Sequence, residues 1–357
     1  MNIAFLTSYP LDVRAGSGVI RTLIGWQRGL QKLNRPSTLI VSKIEAQAPF
    51  SLTNRRLHFN RLITKMDFSR FDRLIGSDFD GYALPEQITQ YYYAFNGGLL
   101  ADIVRFEKGR IAKVLSHLAR REQQNLQKAC AVFVPSLYSA EKVCSLYHVP
   151  EKITHIIPLG NDYDQWQRYL NQTERKKKQE KIILCVARQY PRKGVADLIK
   201  AFAVLREKGS DYYLWIAGGG PQLAANRLIT EESGLTKVVR FFGDITDRLK
   251  LAALFKNSNL FCLPSYHETF GLVYLEAMAS GLPVVAYRTT AIPEVVGEDT
   301  GILVTPGDIP QLAEAMHFLL ENPNQSRKLA QAGKAKAEKM TWQNSAEKLL
   351  NILETVR

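Results

Sequence analysis

Short apolar runs separated by amphipathic stretches recur along the chain, and they predict alternating strands and helices. Ile3–Ser8 is a continuous apolar run of the kind a parallel sheet buries on both faces. A loop with Pro10, Gly16 and Gly18 follows, then helical periodicity over Val19–Leu33 and a strand at Ser37–Val41. This strand–loop–helix–strand unit builds parallel sheets. Further strands are expected at Phe71–Ile75, Gln90–Phe95, Ala131–Val134 and Lys152–Ile157. A long charged helix is expected over Lys108–Ala129, and Ser136 caps another that runs to about Leu146.

Between Gly160 and Glu180 the large apolar residues thin out and polar and basic ones dominate, including the run Lys176, Lys177, Lys178. This reads as a crossing between domains with a short helix inside it. The pattern then restarts. Strands are expected at Lys181–Ala187, Tyr212–Ala217, Val238–Phe242, Leu260–Pro264 and Val284–Tyr287. Helices are expected at Gly194–Glu207, after Pro221, and at Thr246–Lys256, Gly271–Ser280, Pro310–Leu320, Asn324–Met340 and Trp342–Val356. The fold class is α/β: two doubly wound, Rossmann-like parallel-sheet domains in tandem with a cleft between them. Open parallel sheets bind ligands outside the carboxyl ends of their strands, so the chemistry is expected there.

Length agrees with two domains: 357 residues, 46% hydrophobic and 23% charged, is ordinary globular composition and excludes global disorder. The formal net charge of +13 favours an anionic partner, whether phosphate ester, nucleic acid or acidic lipid. Cys130, Cys144, Cys185 and Cys262 are far apart, with no metal or redox spacing, and read as small buried hydrophobes suited to a reducing cytoplasm. Met1–Pro10 is too short to cross a bilayer, so membrane contact is expected to be peripheral only. A candidate for it is Arg55, Arg56, Arg61 and Lys65 with Phe59, Leu62, Ile63 and Phe68.

Three segments carry candidate chemistry. The loop Ala15-Gly16-Ser17-Gly18 joins the first strand to a helix N-terminus that favours negative charge, yet it lacks the dinucleotide and P-loop signatures. Arg188 ends a buried strand and Lys193-Gly194 opens the next helix, which puts a guanidinium fork and a movable ammonium on one sheet edge, suited to a diphosphate. The third segment, Pro264–Pro283, holds Glu268 in a loop, Gly271 at a helix start, and Glu276 inside an apolar helix that includes Leu272, Leu275 and Ala279. A buried carboxylate needs a partner, and adjacent sugar hydroxyls supply bidentate bonds. His267 and the other histidines are isolated, and no dependable metal motif is present. A zinc finger, a helix-turn-helix and an aromatic single-strand platform are missing too, which argues against a nucleic-acid-binding protein despite the charge.

These residues resemble the family 4 retaining, nucleotide-sugar-dependent glycosyltransferases, which have the GT-B fold. The likeness is most specific from Cys185 to Gly307. Its marks are Arg188 with Lys193-Gly194, Ala217–Pro221, Phe242-Gly243, Glu268 and Glu276 with seven residues between them, Pro293-Glu294 and Thr300–Val304. The resemblance implies that Glu268 touches the donor hexose and that Glu276 holds the ribose hydroxyls. It implies that Phe270, Gly271 and Leu272 offer backbone amides, and that Arg188 and Lys193 grip the diphosphate. Gly220 and the backbone near Ile245 would meet the nucleotide, and Ser17 and Gly18 would close over its phosphate. It implies no cofactor and no divalent metal. The organisation it implies is 1–160 acceptor-side domain, 161–180 linker, 181–340 donor-binding domain, and 341–357 a helix crossing back to the first domain.

The expected reaction is transfer of a hexosyl group from a nucleoside diphosphate sugar to an acceptor hydroxyl with retained configuration. A UDP-sugar is the favoured donor and a GDP-sugar is open. Surface polysaccharide or glycolipid synthesis in the cytoplasm is the expected setting, with the inner face of the cell membrane open as its place and saccharide, lipid-linked and small-molecule acceptors all open. A GT-B phosphorylase or a nucleotide-sugar epimerase is the alternative within this fold. The sequence departs from the family at Asn96-Gly97, where many members carry a histidine. Asp102, Arg105 and Glu107, just downstream, are candidates to face the acceptor.

Overall fold

The computed structural model describes residues 1–10, 18–42, 52–174 and 180–356. Contacts divide the chain into two units, Met1–Gly160 with Met340–Arg357, and Asn161–Lys339.

The first unit runs β1 (Ile3–Thr7), α1 (Gly18–Lys32), β2 (Ser37–Val41), α2 (Leu52–Ile63), β3 (Arg73–Ser77), β4 (Tyr92–Phe95), α3 (Leu100–Ile103), α4 (Gly109–Gln127), β5 (Ala131–Val134), α5 (Leu137–Tyr147) and β6 (Thr154–Ile156). Its strands form a parallel sheet in the order β2-β1-β3-β4-β5-β6. Strands β1, β4 and β5 are buried at every position, which explains their unbroken apolar runs. Side chains alternate between the two faces. Tyr92, Ala94 and Val132 join the core under α2, α4 and α5. Tyr93 stacks on Phe133, and Phe95 meets Trp26 of α1 edge-on.

The second unit runs α6 (Tyr163–Gln172), β7 (Lys181–Val186), α7 (Val195–Glu207), β8 (Tyr212–Ala217), α8 (Leu223–Glu232), β9 (Val239–Gly243), α9 (Arg248–Lys256), β10 (Leu260–Leu263), α10 (Leu272–Ala279), β11 (Val284–Tyr287), α11 (Ile292–Val295), β12 (Gly301–Val304), α12 (Ile309–Glu321) and α13 (Pro323–Lys339). Its parallel sheet has the order β12-β11-β10-β7-β8-β9, so the strand order reverses between β7 and β10. That reversal is where a doubly wound sheet opens a ligand crevice beyond its strand ends. In the first unit the equivalent reversal lies between β1 and β3.

The final helix α14 (Trp342–Thr355) belongs to the first unit. It lies so close to α1 that a Cβ at Gly25 would stand 2.2 Å from the Trp342 ring, and one at Gly29 would stand 2.3 Å from the Trp342 carbonyl. Trp26 Nε1 donates to Ser345 Oγ at 2.8 Å, and Ser345 Oγ donates to the Pro158 carbonyl at 2.7 Å.

Several elements differ from the sequence reading. Helix α6, expected inside a linker, is a built part of the second unit: Trp166 meets Phe255 edge-on, and Lys256 Nζ donates to the carbonyls of Leu170 and Thr173. Its polar face hid a short apolar contact through Trp166 and Leu170, both buried. Helices α2, α3 and α11 and strand β12 are elements that the periodicity did not reveal. The run Lys176–Lys178 lies outside the described residues.

Candidate functional site

The carboxyl ends of β7 and β10 hold the strongest candidates. Beyond β7 the chain passes Arg188, a half-buried residue whose guanidinium lies 5.6 Å from the Tyr190 ring centre. A single turn at Pro191–Lys193 then leads into α7, and Gly194 tucks against the Pro264 carbonyl at the end of β10. This contact locks the two strand-end loops together. Tyr266 N donates to the Arg192 carbonyl at 2.7 Å, and the Tyr266 and Tyr287 hydroxyls both donate to Asp197.

Within that frame Lys193 Nζ lies 2.5 Å from Glu268 Oε1, with side chains only 15% and 11% exposed. Burial, the larger effect, pulls the Lys193 ammonium below its ordinary range, and the Glu268 charge opposes it. Glu268 is also fixed through its backbone, by Glu268 N to Thr290 Oγ1 and Ala291 N to the Glu268 carbonyl.

Phe270 is buried, and Gly271 caps α10 with φ +92°, where a Cβ would lie 2.5 Å from the Tyr274 ring. Only glycine fits that left-handed turn. Leu272 opens α10, and in its first turn Tyr274 N donates to the Gly271 carbonyl at 3.0 Å. Glu276, one turn further on, is buried at 5% exposure. Its Oε1 accepts from Arg248 Nη2 at 2.8 Å. The Arg248 guanidinium stacks 4.7 Å from the Trp166 ring, and Trp166 Nε1 donates to Ser280 Oγ at 2.9 Å.

The β8 and β9 ends complete the edge. Gly219 N donates to Asp244 Oδ1 at 2.7 Å, Gln189 Nε2 donates to the Gly218 carbonyl, and Gly220 lies against Gln189. Ile245 is half-buried in the loop between β9 and α9. Arg188, Lys193, Gly220, Ile245, Glu268, Phe270, Gly271, Leu272 and Glu276 thus all stand on the carboxyl edge of one sheet or in the first turns of its helices. Arg248 and Trp166 escaped the sequence reading. Asp247, whose carboxylate accepts from Leu249 N and Lys250 N, marks the helix start at Arg248, but nothing local tells that Arg248 reaches Glu276.

In the first unit Gly18 opens α1, while Ser17 lies outside the described residues. The edge at β1 and β3 carries a buried ionic cluster that the sequence did not reveal. Arg56 lies between the Tyr9 and Phe79 rings, 3.9 and 3.8 Å from their centres, and 3.8 and 3.7 Å from Asp78 and Asp80. Asp80 accepts from Ser8 and Asn60, and Asp78 accepts from Tyr9 and from the amides of Gly97 and Gly98. Burial pushes the Asp78 carboxyl above its ordinary range, with Arg56 opposing.

Two expectations fail here. Arg56, Phe59, Ile63 and Phe68 are buried, so of the expected lipid-facing residues only Arg61, Leu62 and Lys65 are exposed, and Phe59 and Ile63 of α2 face the core. Asp102 is also buried, bound to the Tyr138 hydroxyl and 3.1 Å from Arg105, so it does not face an acceptor. Asn96 is fully buried at the end of β4. Among the described residues no group of three His, Cys, Asp or Glu could hold a metal ion, and no helix is long and apolar enough to cross a membrane.

Residues 168–336 match the family described as "Glycosyl transferases group 1". Among curated proteins the chain is similar to an MMP alpha-(1->4)-mannosyltransferase of Mycolicibacterium hassiacum, 33% identical over 64% of this chain and 56% of that protein. It is also similar to a phosphatidyl-myo-inositol mannosyltransferase of Mycobacterium leprae, 30% identical over 70% and 59%. The alignments therefore span little more than half the length of these relatives. Its fold is that of sucrose-phosphate synthase from Thermosynechococcus elongatus (TM-score 0.77, 22% identity, 99% and 98% covered) and of WaaG, a glycosyltransferase of lipopolysaccharide biosynthesis (0.74, 18%, 99% and 100%). With two parallel sheets of this order the chain has the GT-B fold, and residues 168–336, on the second sheet, belong to the glycosyl transferases group 1 family.

Proposed function

We propose that the chain is a retaining glycosyltransferase that moves a hexosyl group from a nucleoside diphosphate sugar to an acceptor hydroxyl, in surface polysaccharide or glycolipid synthesis. The observation that carries this reading is the pair of carboxylate–cation contacts on one sheet edge, Lys193–Glu268 and Arg248–Glu276. Each pair is preorganised and partly reachable from solvent, so its members can exchange one another for a ligand. Lys193 and Arg188 take the diphosphate, and Glu268 takes the hexose hydroxyls. The amides of Gly271 and Leu272 face the developing charge, and Glu276 takes the ribose. The C1–phosphate bond breaks as the C1–acceptor bond forms on the same face, and the departing phosphate oxygen receives the acceptor proton. Catalysis is then orientation and charge stabilisation by fixed groups, with no divalent metal required. The first unit serves the acceptor, and contact with an anionic membrane is peripheral.

Relatives' names support a nucleoside diphosphate hexose: two similar proteins are called GDP-mannose-dependent. Calorimetry with free UDP and GDP tests both the base and the roles. Glu276→Gln is expected to lose about tenfold to a hundredfold in affinity for the preferred nucleotide, as a charged hydrogen bond of about 1.5–3 kcal/mol implies. Glu268→Gln is expected to keep nucleotide affinity and lose transfer. Equal losses of affinity in both variants contradict the assignment.

A further inference from the structure

Among the described residues five that are not glycine have a positive φ: Asn34, Asp78, Leu99, His148 and Thr290. Asn, Asp and His are the types that tolerate the left-handed region, and His148 caps the end of α5 there. Leu99 has a fully buried side chain in the core of the first unit, which offsets its backbone. Neither account covers Thr290. Its side chain is β-branched, it is half-buried, and its φ is +50°. A β-branched residue in that region is strained. Such strain persists where surrounding contacts fix it, and it concentrates where function uses it.

The turn at Thr290 brings two groups onto one residue. Thr290 Oγ1 accepts from Glu268 N at 3.1 Å, across 22 residues of chain, and Ala291 N donates to the Glu268 carbonyl at 3.3 Å. Both backbone polar groups of Glu268 are therefore held from the same turn. Strand β10 lies between β7 and β11 in the sheet. Glu268, in the loop beyond β10, is braced from both neighbours. Its carboxylate meets Lys193 from the β7 side at 2.5 Å, and its main chain meets Thr290 and Ala291 from the β11 side. A ligand acts differently on the two braces. Lys193 can leave Glu268 for a phosphate, whereas an anion does not compete for an amide-to-hydroxyl bond on the backbone.

We propose that Thr290 is a positioning residue for Glu268: its strained turn holds the Glu268 main chain when Lys193 turns to the diphosphate, so that the carboxylate stays aimed at the hexose. This rests on the role given to Glu268 above. Glycine is the residue suited to such a turn, but it has no oxygen to offer the Glu268 amide. Threonine supplies the oxygen and strains the backbone.

Three substitutions separate the oxygen from the strain. Thr290→Ser keeps the acceptor and removes the β-branch. Thr290→Ala removes the acceptor and keeps a Cβ in the left-handed turn. Thr290→Gly removes the acceptor and suits the turn. Turnover is read as nucleotide release from UDP-glucose or GDP-mannose, whichever the parent uses faster, and it is expected to follow the oxygen. Thr290→Ser stays within about twofold of the parent, while Thr290→Ala and Thr290→Gly each fall roughly tenfold in kcat, with affinity for the free nucleoside diphosphate unchanged. Stability is expected to follow the backbone instead. Thr290→Gly melts above Thr290→Ala by roughly 2 °C, and Thr290→Ser melts no lower than the parent. Hydrogen exchange at the Glu268 amide needs no turnover. It is expected to be at least about tenfold faster in Thr290→Ala and Thr290→Gly than in the parent and Thr290→Ser. A residue that served stability alone would make turnover follow melting temperature, with Thr290→Gly the better enzyme of the two. That result, full turnover in Thr290→Ala, a Thr290→Ser as impaired as Thr290→Ala, or unchanged exchange at Glu268 each overturns the proposal. Glu268→Gln measured alongside tells the two readings apart. Normal turnover in it removes the role of Glu268 and the proposal with it, whereas an impaired Glu268→Gln beside a normal Thr290→Ala removes the Thr290 role alone.

Discussion

At the carboxyl ends of β1 and β3, Arg56, Asp78 and Asp80 are all buried, with the guanidinium 3.7–3.8 Å from both carboxylates. At the carboxyl ends of β7 and β10, Lys193, Glu268 and Arg248 keep 11–37% of their side chains in solvent. Both are strand-order reversals in doubly wound sheets, the places where such sheets open a crevice. The first is filled by its own side chains. Arg56 is held between two rings, and its partners satisfy the loops after β1, β3 and β4, including the amides of Gly97 and Gly98. A charge that is wholly desolvated has no low-cost alternative partner, so such a cluster acts as structure. In the second, the charges are close enough to hold each other and exposed enough to change partner. Topology thus nominates a site, and desolvation decides whether it serves the ligand or the fold.

The sharpest break of this comparison is Arg56→Met. It leaves two buried carboxylates without their cation, so a loss of about 3–5 kcal/mol is expected in thermal or denaturant unfolding. Nucleotide affinity in material that still folds is expected to be unchanged. A variant that unfolds normally but loses nucleotide would reverse the roles given to the two edges. On the other edge, Arg248→Ala is expected to weaken nucleotide binding by about tenfold by freeing Glu276 from its oriented bond. A smaller loss in unfolding than for Arg56→Met is expected, because Arg248 is partly exposed although Glu276 is buried.

Gly29→Ala sharpens the comparison from the packing side. A Cβ there would meet the Trp342 carbonyl and the Ala346 Cβ, and overpacking of this kind typically costs about 1–3 kcal/mol. The loss is expected in unfolding experiments, with nucleotide binding spared. A smaller, pH-dependent effect is expected at Glu122 behind the first edge. Its Oε2 accepts from Leu100 N and the Tyr147 hydroxyl, and burial, helped by the Asp78 charge, pushes its carboxyl up to about 8 from an ordinary 4.5. Between those two values the folded chain holds a proton that the unfolded chain has released, so stability falls as pH rises and the loss is complete above about 8. Glu122→Gln keeps the acceptor and removes the titration. Its melting temperature is expected to match the parent near pH about 5 and to exceed it increasingly toward pH about 8, and parallel profiles would contradict this. The smallest expected effect is none at all. Turnover is expected to survive chelation of divalent metal, with Arg188 and Lys193 supplying the charge, and a loss restored by magnesium would count against the proposed reaction.

The paired glutamates and the Arg188–Lys193 segment were legible because their spacing is local. Each lies within a few residues of a strand end, and a strand end has a fixed place in a parallel sheet. Helix α2 was not legible, because its sequence alternates Arg, His and Asn with apolar residues. Arg56 reads as surface unless Tyr9, Phe79, Asp78 and Asp80 are known to surround it, and those residues come from two other segments. Trp166 and Leu170 sat in a stretch that polarity marked as a linker, and only contact with Phe255, Arg248 and Lys256 makes it a helix of the second unit.

The sequence by itself determined the alternation of strand and helix, the two sheets, and the identity of the residues at the edge of the second one. These follow from hydrophobic period and from residues close together in the chain. Tertiary structure alone decided which charges are buried, which carboxylate holds which cation, and that α14 closes on α1 through Gly25 and Gly29. Burial and ion pairing depend on segments far apart in sequence, whose approach costs chain entropy and is settled only when the whole core packs.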